Sequence, residues 1–403
     1  MFRFFEQRIE PFPADEPAEP PRGLLAFLLH YSKPVLPWLA LMSLLTASLS
    51  VVEVTFFGFI GSLVDWLAQA ERETFWAEHG ARLALYGALV VVSFPLISLV
   101  QSMVVHQTIF GNYPMLVRWL GHRYLLRQSL KFYQDEFAGR VSQKLMQTAL
   151  AIRETVMKLM DVFVYVIVYF TGALVLIGQA DLRLAAPLVL WLGAYLMLLV
   201  FFVPRLRDIA MAQADARAHM TGRIVDTYTN IQTIKLFAHA QREQDYARRA
   251  MSEFMSTVYR QMRLVTWLTV CLQTVNILLL VAVAAVAIYA WQQAAISLGA
   301  IAVSIALVMR IRAMSNWILW EVAGLFENVG TVQDGINTLA QPLAIVDGPG
   351  AAELVVPRGE IRFDRVSFHY GRESGSSRAS RSTFAPARGS VSSGARAPAS
   401  RRS

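Results

Sequence analysis

Three charged side chains stand inside apolar runs, where charge is costly. Glu53 falls within Leu36–Val64, and Arg310 and Arg312 fall within Leu298–Trp320. An ionisable group at such a depth marks an ion pair, a ligand contact or a proton path by default. At 1.5 Å per helical residue, Arg310 lies roughly 18 Å from the start of its run, near the middle of a hydrocarbon core about 30 Å thick. Arg312, two residues on, points to a different helix face. Glu53 lies in the outer half of its run, at a depth where it can meet an arginine. Two readings stand side by side: Arg310 contacts an anionic or amphiphilic cargo, or it belongs to an internal ion pair that fixes packing. Little else in the chain is arranged for chemistry. The histidines (30, 79, 106, 122, 219, 239, 369) are scattered without metal-ligand spacing, so no metal site is expected. The single cysteine, Cys271, excludes an intrachain disulfide framework and reads as a small buried side chain. No Ser-His-Asp or Cys-His constellation stands out.

The elements that hold these charges follow from composition. The chain has 403 residues, 55% of them apolar and only 16% charged. Soluble domains run nearer 45–50% and about 25%, so a polytopic membrane protein is expected. Six runs are long enough to span a bilayer: Leu36–Val64, Leu83–Val105, Val156–Gly178, Leu184–Val203, Thr266–Ala290 and Leu298–Trp320. An amphipathic lead, Gly23–Tyr31, precedes the first. Met1–Pro21 is polar, acidic and proline-rich, unlike a cleavable signal peptide. Pro95 and Pro187 read as tolerated kinks, and Glu321 and Glu327 as interfacial.

The connections alternate short and long, and the cations follow them. Seven Lys and Arg lie between 106 and 155 and ten between 204 and 265, against two, one and none in the three short connections. The positive-inside rule then places both long connections and both termini in the cytoplasm. The long connections read as helical arms. Leu145, Ala149, Ile152, Val156 and Leu159 recur on one helix face that runs on into the third span, and Ile224, Tyr228, Ile231 and Ile234 do the same in the other. Each connection is expected to be two extended helices joined by a short turn. An arm of about 25 residues would reach roughly 37 Å.

Six spans with two long intracellular arms, followed by the start of another domain, resemble an ATP-binding-cassette exporter half-transporter over about residues 20–371. Phe132–Arg140 (FYQDEFAGR) looks like the family's first coupling helix and Asp226–Phe237 (DTYTNIQTIKLF) like its second. The most specific stretch is Gly330–Gly371, which ends in GEIRFDRVSFHYG. The resemblance implies an all-α polytopic membrane fold with six transmembrane helices, long cytoplasmic helical extensions and a fragment of an α/β nucleotide-binding domain. It implies ATP and Mg2+ as cofactors, with Tyr370 stacking on adenine. Contacts to the nucleotide-binding domain are implied for Phe132, Tyr133, Glu136, Phe137, Gly139, Asp226, Tyr228, Gln232 and Lys235. Glu53, Arg310 and Arg312 become substrate-pathway candidates. Implied partners are a second half-transporter (the same chain or another), the lipid bilayer and an unknown transported substrate, with no nucleic acid. Read on its own, Glu360–Tyr370 alternates imperfectly, as an edge strand would.

The expected division is a lead and elbow helix (1–34), the transmembrane domain (35–340), a linker (341–359), the first strand of the nucleotide-binding domain (360–375) and a Ser/Arg-rich tail (376–403). From residue 372 on there are ten serines, seven arginines and one acid, Glu373, so the tail region carries +6 of the net +8. Such a composition does not form a packed core. The family's phosphate loop, G-x-x-x-x-G-K-[ST], is not in the chain, so the polypeptide alone is not expected to hydrolyse ATP. A disordered regulatory tail is one reading. In the other, 376–403 is out of frame: a shifted frame over Phe384–Ser403 permits, with free choice of third bases and serine codons, a string containing Gly-Arg-Ser-Gly-Ala-Gly-Lys-Ser-Thr. The rival class is a non-enzymatic membrane adaptor with a basic, lipid-binding tail, or a non-functional frameshift product. An ion channel has no filter-like sequence to support it.

Overall fold

The computed structural model describes residues 2–135, 138–237, 240–346, 348, 350, 351, 359–368 and 377–384. Residues 1–344 and 345–403 form separate compact units. In the first, α1 (Phe2–Glu6) and α2 (Leu24–Ser32) precede α3 (Leu36–Gln69), and α4 (Phe75–Ser102) is followed by α5 (Asn112–Leu126). Then come the short α6 (Leu130–Asp135), α7 (Ala138–Met157), α8 (Phe163–Ala180), α9 (Leu182–Thr229), the short α10 (Ile231–Leu236), α11 (Ala240–Gln292) and α12 (Leu298–Leu339). Among the described residues, six helical segments are long and apolar enough to cross a membrane, and they contain the six runs read from the sequence.

Side-chain caps set two of the turns between spans. Asp181 alone separates α8 from α9, and its extended backbone lets its carboxylate accept from the Arg183 amide at 2.8 Å. Ser297 starts α12 by accepting from the Ala300 amide at 3.1 Å. There, too, Asp65 at the end of α3 accepts from Ser297 Oγ and from the Gly299 amide, each at 2.7 Å.

Two apolar cores divide this unit. An inner one gathers α2, the start of α3, α5, α7 and the end of α12 around Tyr31, Leu39, Tyr113, Leu145, Ile152 and Ile336. The other lies among the spans, around Tyr169, Leu188, Leu272, Val283 and Leu307. Two π-helical turns, Met103–Ile109 and Lys158–Val162, fall where one core gives way to the other. They also break the expected face. Leu145, Ala149, Ile152 and Val156 are buried, but Leu159 is 46% exposed, because a π turn takes more residues than an α turn and rotates those that follow.

The arms carry more than the expected turns, since a short helix (α6, α10) sits at each tip. In the second arm Asn230 breaks the helix at φ −98°, ψ 21°. The stripe expected there does not form a buried face, and Tyr228 and Ile231 are exposed.

Residues 10–17 are not a loose lead. They lie on α5 as a strap held by backbone. Trp119 Nε1 donates to the Pro13 carbonyl at 3.0 Å, and Arg123 Nη1 reaches the carbonyls of Pro13, Ala14 and Asp15 at 3.0, 2.9 and 2.7 Å. Phe12 meets Trp119 edge to face.

The second unit contains an antiparallel pair, β1 (Ile361–Phe368) and β2 (Ser377–Phe384). Register is lost between Phe363 and Val366, where Arg365 takes a positive φ of 51°. That bulge accounts for the imperfect alternation in the sequence. β2 draws on the Ser/Arg-rich stretch for which no packed core was expected, and its described pairing opposes serines and a threonine to β1, with one aromatic contact, Phe363 to Phe384.

Candidate functional site

The midplane charges converge. Arg310 on α12 places Nε 2.7 Å from Glu53 Oε1 on α3. Tyr165 on α8 donates to Glu53 Oε2 at 2.6 Å and accepts from Arg310 Nη2 at 3.0 Å. Three spans thus share one closed polar triangle. Tyr169 stacks on Tyr165, and Trp317 meets Tyr165 edge to face. Arg312 stands two residues away and is not a member of the triangle.

Small residues bring these helices together. Gly172 of α8 faces Val54 so closely that an added Cβ would meet it at 3.2 Å, and Gly61 of α3 abuts Gly299 of α12. Glu53 sits beside the first of these contacts, so the close approach of α3 to α8 carries it to Tyr165. The Arg310 side chain remains 41% exposed and Glu53 21%.

More polar rungs join the third and sixth columns further in. Lys158 pairs with Glu321 at 2.7 Å, and the Glu321 side chain is half-buried. Lys144 Nζ reaches Asp334 at 2.9 Å and Thr338 at 3.1 Å. In the inner π turn, Asp161 accepts from Thr46, which in turn accepts from Gln101 Nε2 at 3.1 Å. A separate buried chain runs from Trp191 Nε1 to Asn276 Oδ1 at 3.0 Å and from Asn276 Nδ2 to Ser315 Oγ at 2.8 Å. Sequence reasoning named Glu53 and Arg310 but passed over Tyr165, Trp317, Lys158 and Asp161. A tyrosine in an apolar run, whose hydroxyl needs a partner once buried, was the available signal.

The arm tips differ. Phe132 is buried in its own arm, and Tyr133 turns back to donate to the Leu125 carbonyl at 2.8 Å. Burial pushes the Tyr133 phenol above its usual range and keeps it a donor. Gly139 has open space around it; Glu136 and Phe137 lie outside the described residues. In the second arm Asp226, Gln232 and Lys235 are exposed, Tyr228 is 70% exposed and Leu236 82%.

Tyr370 also lies outside the described residues. In the second unit Asp364 is engaged by Arg381 at 2.8 Å and approached by Arg365 at 3.9 Å. The described residues do not assemble an ATP–magnesium site.

Among the described residues, six helices long and apolar enough to cross a membrane carry a polar cluster and helical arms tipped by short helices. Residues 39–313 match the family described as the ABC transporter transmembrane region, and the chain belongs to that family. It is 44% identical over 370 residues to an uncharacterized ABC transporter ATP-binding protein of Haemophilus influenzae (strain ATCC 51907 / DSM 11121 / KW20 / Rd), a match covering 92% of this chain. The chain spans 60% of that relative's length. Its fold is similar to a bacterial Atm1-family ABC exporter with ATP bound, with a TM-score of 0.63 at 16% identity over 88% of this chain and 61% of the other.

Proposed function

We propose that this chain is the membrane-spanning half of an ATP-driven exporter that moves an amphiphilic substrate (drug, lipid or peptide) across the membrane by alternating access. The observation that carries the reading is the half-open Glu53–Tyr165–Arg310 triangle, a polar site held by three spans at mid-depth. Glu53 and Arg310 line the pathway, with Arg312 beside it. Both termini are cytoplasmic, in keeping with the cations of the two long arms. A second half-transporter, identical or different, completes the pathway. The arm tips around Phe132–Gly139 and Asp226–Lys235 pass the closure of nucleotide-binding domains to the spans. ATP and magnesium act through those domains, and Tyr370 supports adenine stacking by family resemblance alone.

The test is to mix the purified full chain with an intact paralogue in proteoliposomes and follow ATP hydrolysis and uptake of a fluorescent amphiphile. Stimulation of both above the paralogue alone supports a partnered transporter subunit. No nucleotide effect, together with liposome binding that depends on residues 376–403, would overturn it in favour of an adaptor with a basic tail.

A further inference from the structure

The triangle is electrically neutral, and its bonding is incomplete. Arg310 contributes one positive charge, Glu53 one negative charge and Tyr165 a neutral phenol that bridges them. Arg310 directs Nε at Glu53 Oε1 (2.7 Å) and Nη2 at Tyr165 (3.0 Å), which leaves Nη1, on a side chain 41% exposed, as the guanidinium's remaining donor. Next to it Tyr169 is buried, stacks on Tyr165 and leaves its hydroxyl without a partner. Trp317, 39% exposed, stands edge to face against Tyr165 and adds an exposed aromatic beside the triangle. The deeper pair Lys158–Glu321 contrasts with this, its side chains being only 16% and 23% exposed.

Charge balance then selects among ligands. A monoanion drawn to Arg310 must sit beside Glu53 and leaves the cluster with a net negative charge among the spans. A monocation drawn to Glu53 has the mirror-image problem with Arg310. Uncompensated charge at this depth is what membrane interiors penalise most. A ligand carrying both charges avoids this. Its anionic group takes up the unused donors of Arg310, and its ammonium group replaces the guanidinium at Glu53. The aromatic faces of Trp317 and Tyr165 add cation–π attraction for the ammonium. No covalent step is involved, and the cluster stays neutral before and after binding.

We infer that the Glu53–Tyr165–Arg310 cluster, walled by Trp317, selects zwitterionic amphiphiles, in which an ammonium group and a phosphate or carboxylate share one polar head. The inference rests on the exporter-pathway reading and narrows its substrate class.

The test uses the full chain purified in a maltoside detergent and three probes with the same alkyl chain: dodecylphosphocholine, dodecyl phosphate and dodecyltrimethylammonium. Free phosphocholine, without a chain, separates an amphiphile site from a soluble-headgroup site. Binding is read from tryptophan emission, with the Trp317→Phe variant giving the part due to Trp317. The wild-type chain should bind the zwitterionic probe about tenfold more tightly than either charged probe, the order expected when one unpaired charge is avoided. Glu53→Gln should move the preference to the phosphate probe, and Arg310→Gln to the ammonium probe. The double variant should lose the order while keeping chain-driven binding. Arg310→Lys, which retains the charge, should keep the zwitterion first and guards against mere misfolding. An unchanged order in all variants, or the anionic probe ranking first in the wild type, would overturn the inference alone. If free phosphocholine binds as tightly as the chained probe, the amphiphile part fails. If no probe binds the wild type, the pathway reading of this space falls with it.

Discussion

The two helical arms of this chain are built from similar helices and have opposite surroundings. In the first, α5, α6 and α7 are packed by the strap, the elbow helix α2 and the end of α12, and Phe132, Val141, Leu145, Ala149 and Ile152 are all buried. In the second, the inner halves of α9 and α11 touch mainly each other. Val225, Tyr228, Leu236, Met251 and Tyr259 stay in the open. Apolar side chains in such numbers on a two-helix projection favour a covering surface. The first arm is thus stabilised within the chain, whereas the second is shaped for something outside it. In the proposed exporter, that something is the second half-transporter with its nucleotide-binding domain.

The contrast is most directly broken by proteolysis. In the detergent-solubilised chain, trypsin should cut at Arg242, Arg248 or Arg249 about a hundredfold faster than at Lys144, because local opening ranges from nearly free to the full unfolding energy. Mass spectrometry of early fragments reads the ratio, and equal rates would mean the second arm is covered after all. Next in size is a core deletion. Ile152→Ala should cost about 2–5 kcal/mol, while Tyr228→Ala in the exposed arm should stay within about 0.5 kcal/mol, both measured by denaturant unfolding in mixed micelles. Arg123→Ala removes three carbonyl contacts and should cost about 1.5–3 kcal/mol. It should also expose the Pro13–Asp15 segment to cleavage while leaving the second arm's cutting rate unchanged. A smaller effect than that of Arg123→Ala belongs to Asp334→Asn. Its pair with Lys144 is more than half open on the acid side, so a change within about 1 kcal/mol is expected. A larger one would mean that the rung carries the first arm.

Length and hydropathy made the six spans and both arms legible, because a bilayer imposes a twenty-residue apolar requirement that survives any tertiary detail. Glu53 and Arg310 were legible for the same reason, as charge is rare at that depth. Their partnership through Tyr165 was not, because it depends on which faces of α3, α8 and α12 meet, and the glycines that decide this carry no pattern of their own. Leu159 was misread since a π turn has no sequence signature comparable to proline. The strap escaped notice because its contacts run through carbonyl oxygens that every residue possesses. β2 was unexpected because ladder hydrogen bonds come from the backbone, and a run of serine and arginine supplies them as readily as an apolar one. Of the sites implied by resemblance, Glu136, Phe137 and Tyr370 lie outside the described residues, and the second-arm tips stand exposed on α10 and its flanks.

The strap's mode of attachment has one further consequence. Arg123 and Trp119 grip oxygen atoms of the main chain at Pro13, Ala14 and Asp15, so the lock inspects the path of the ribbon and ignores what is written on it. The letters at 14 and 15 are free to drift, and an epitope or a fluorophore attached at either side chain should ride on the surface without loosening the clasp.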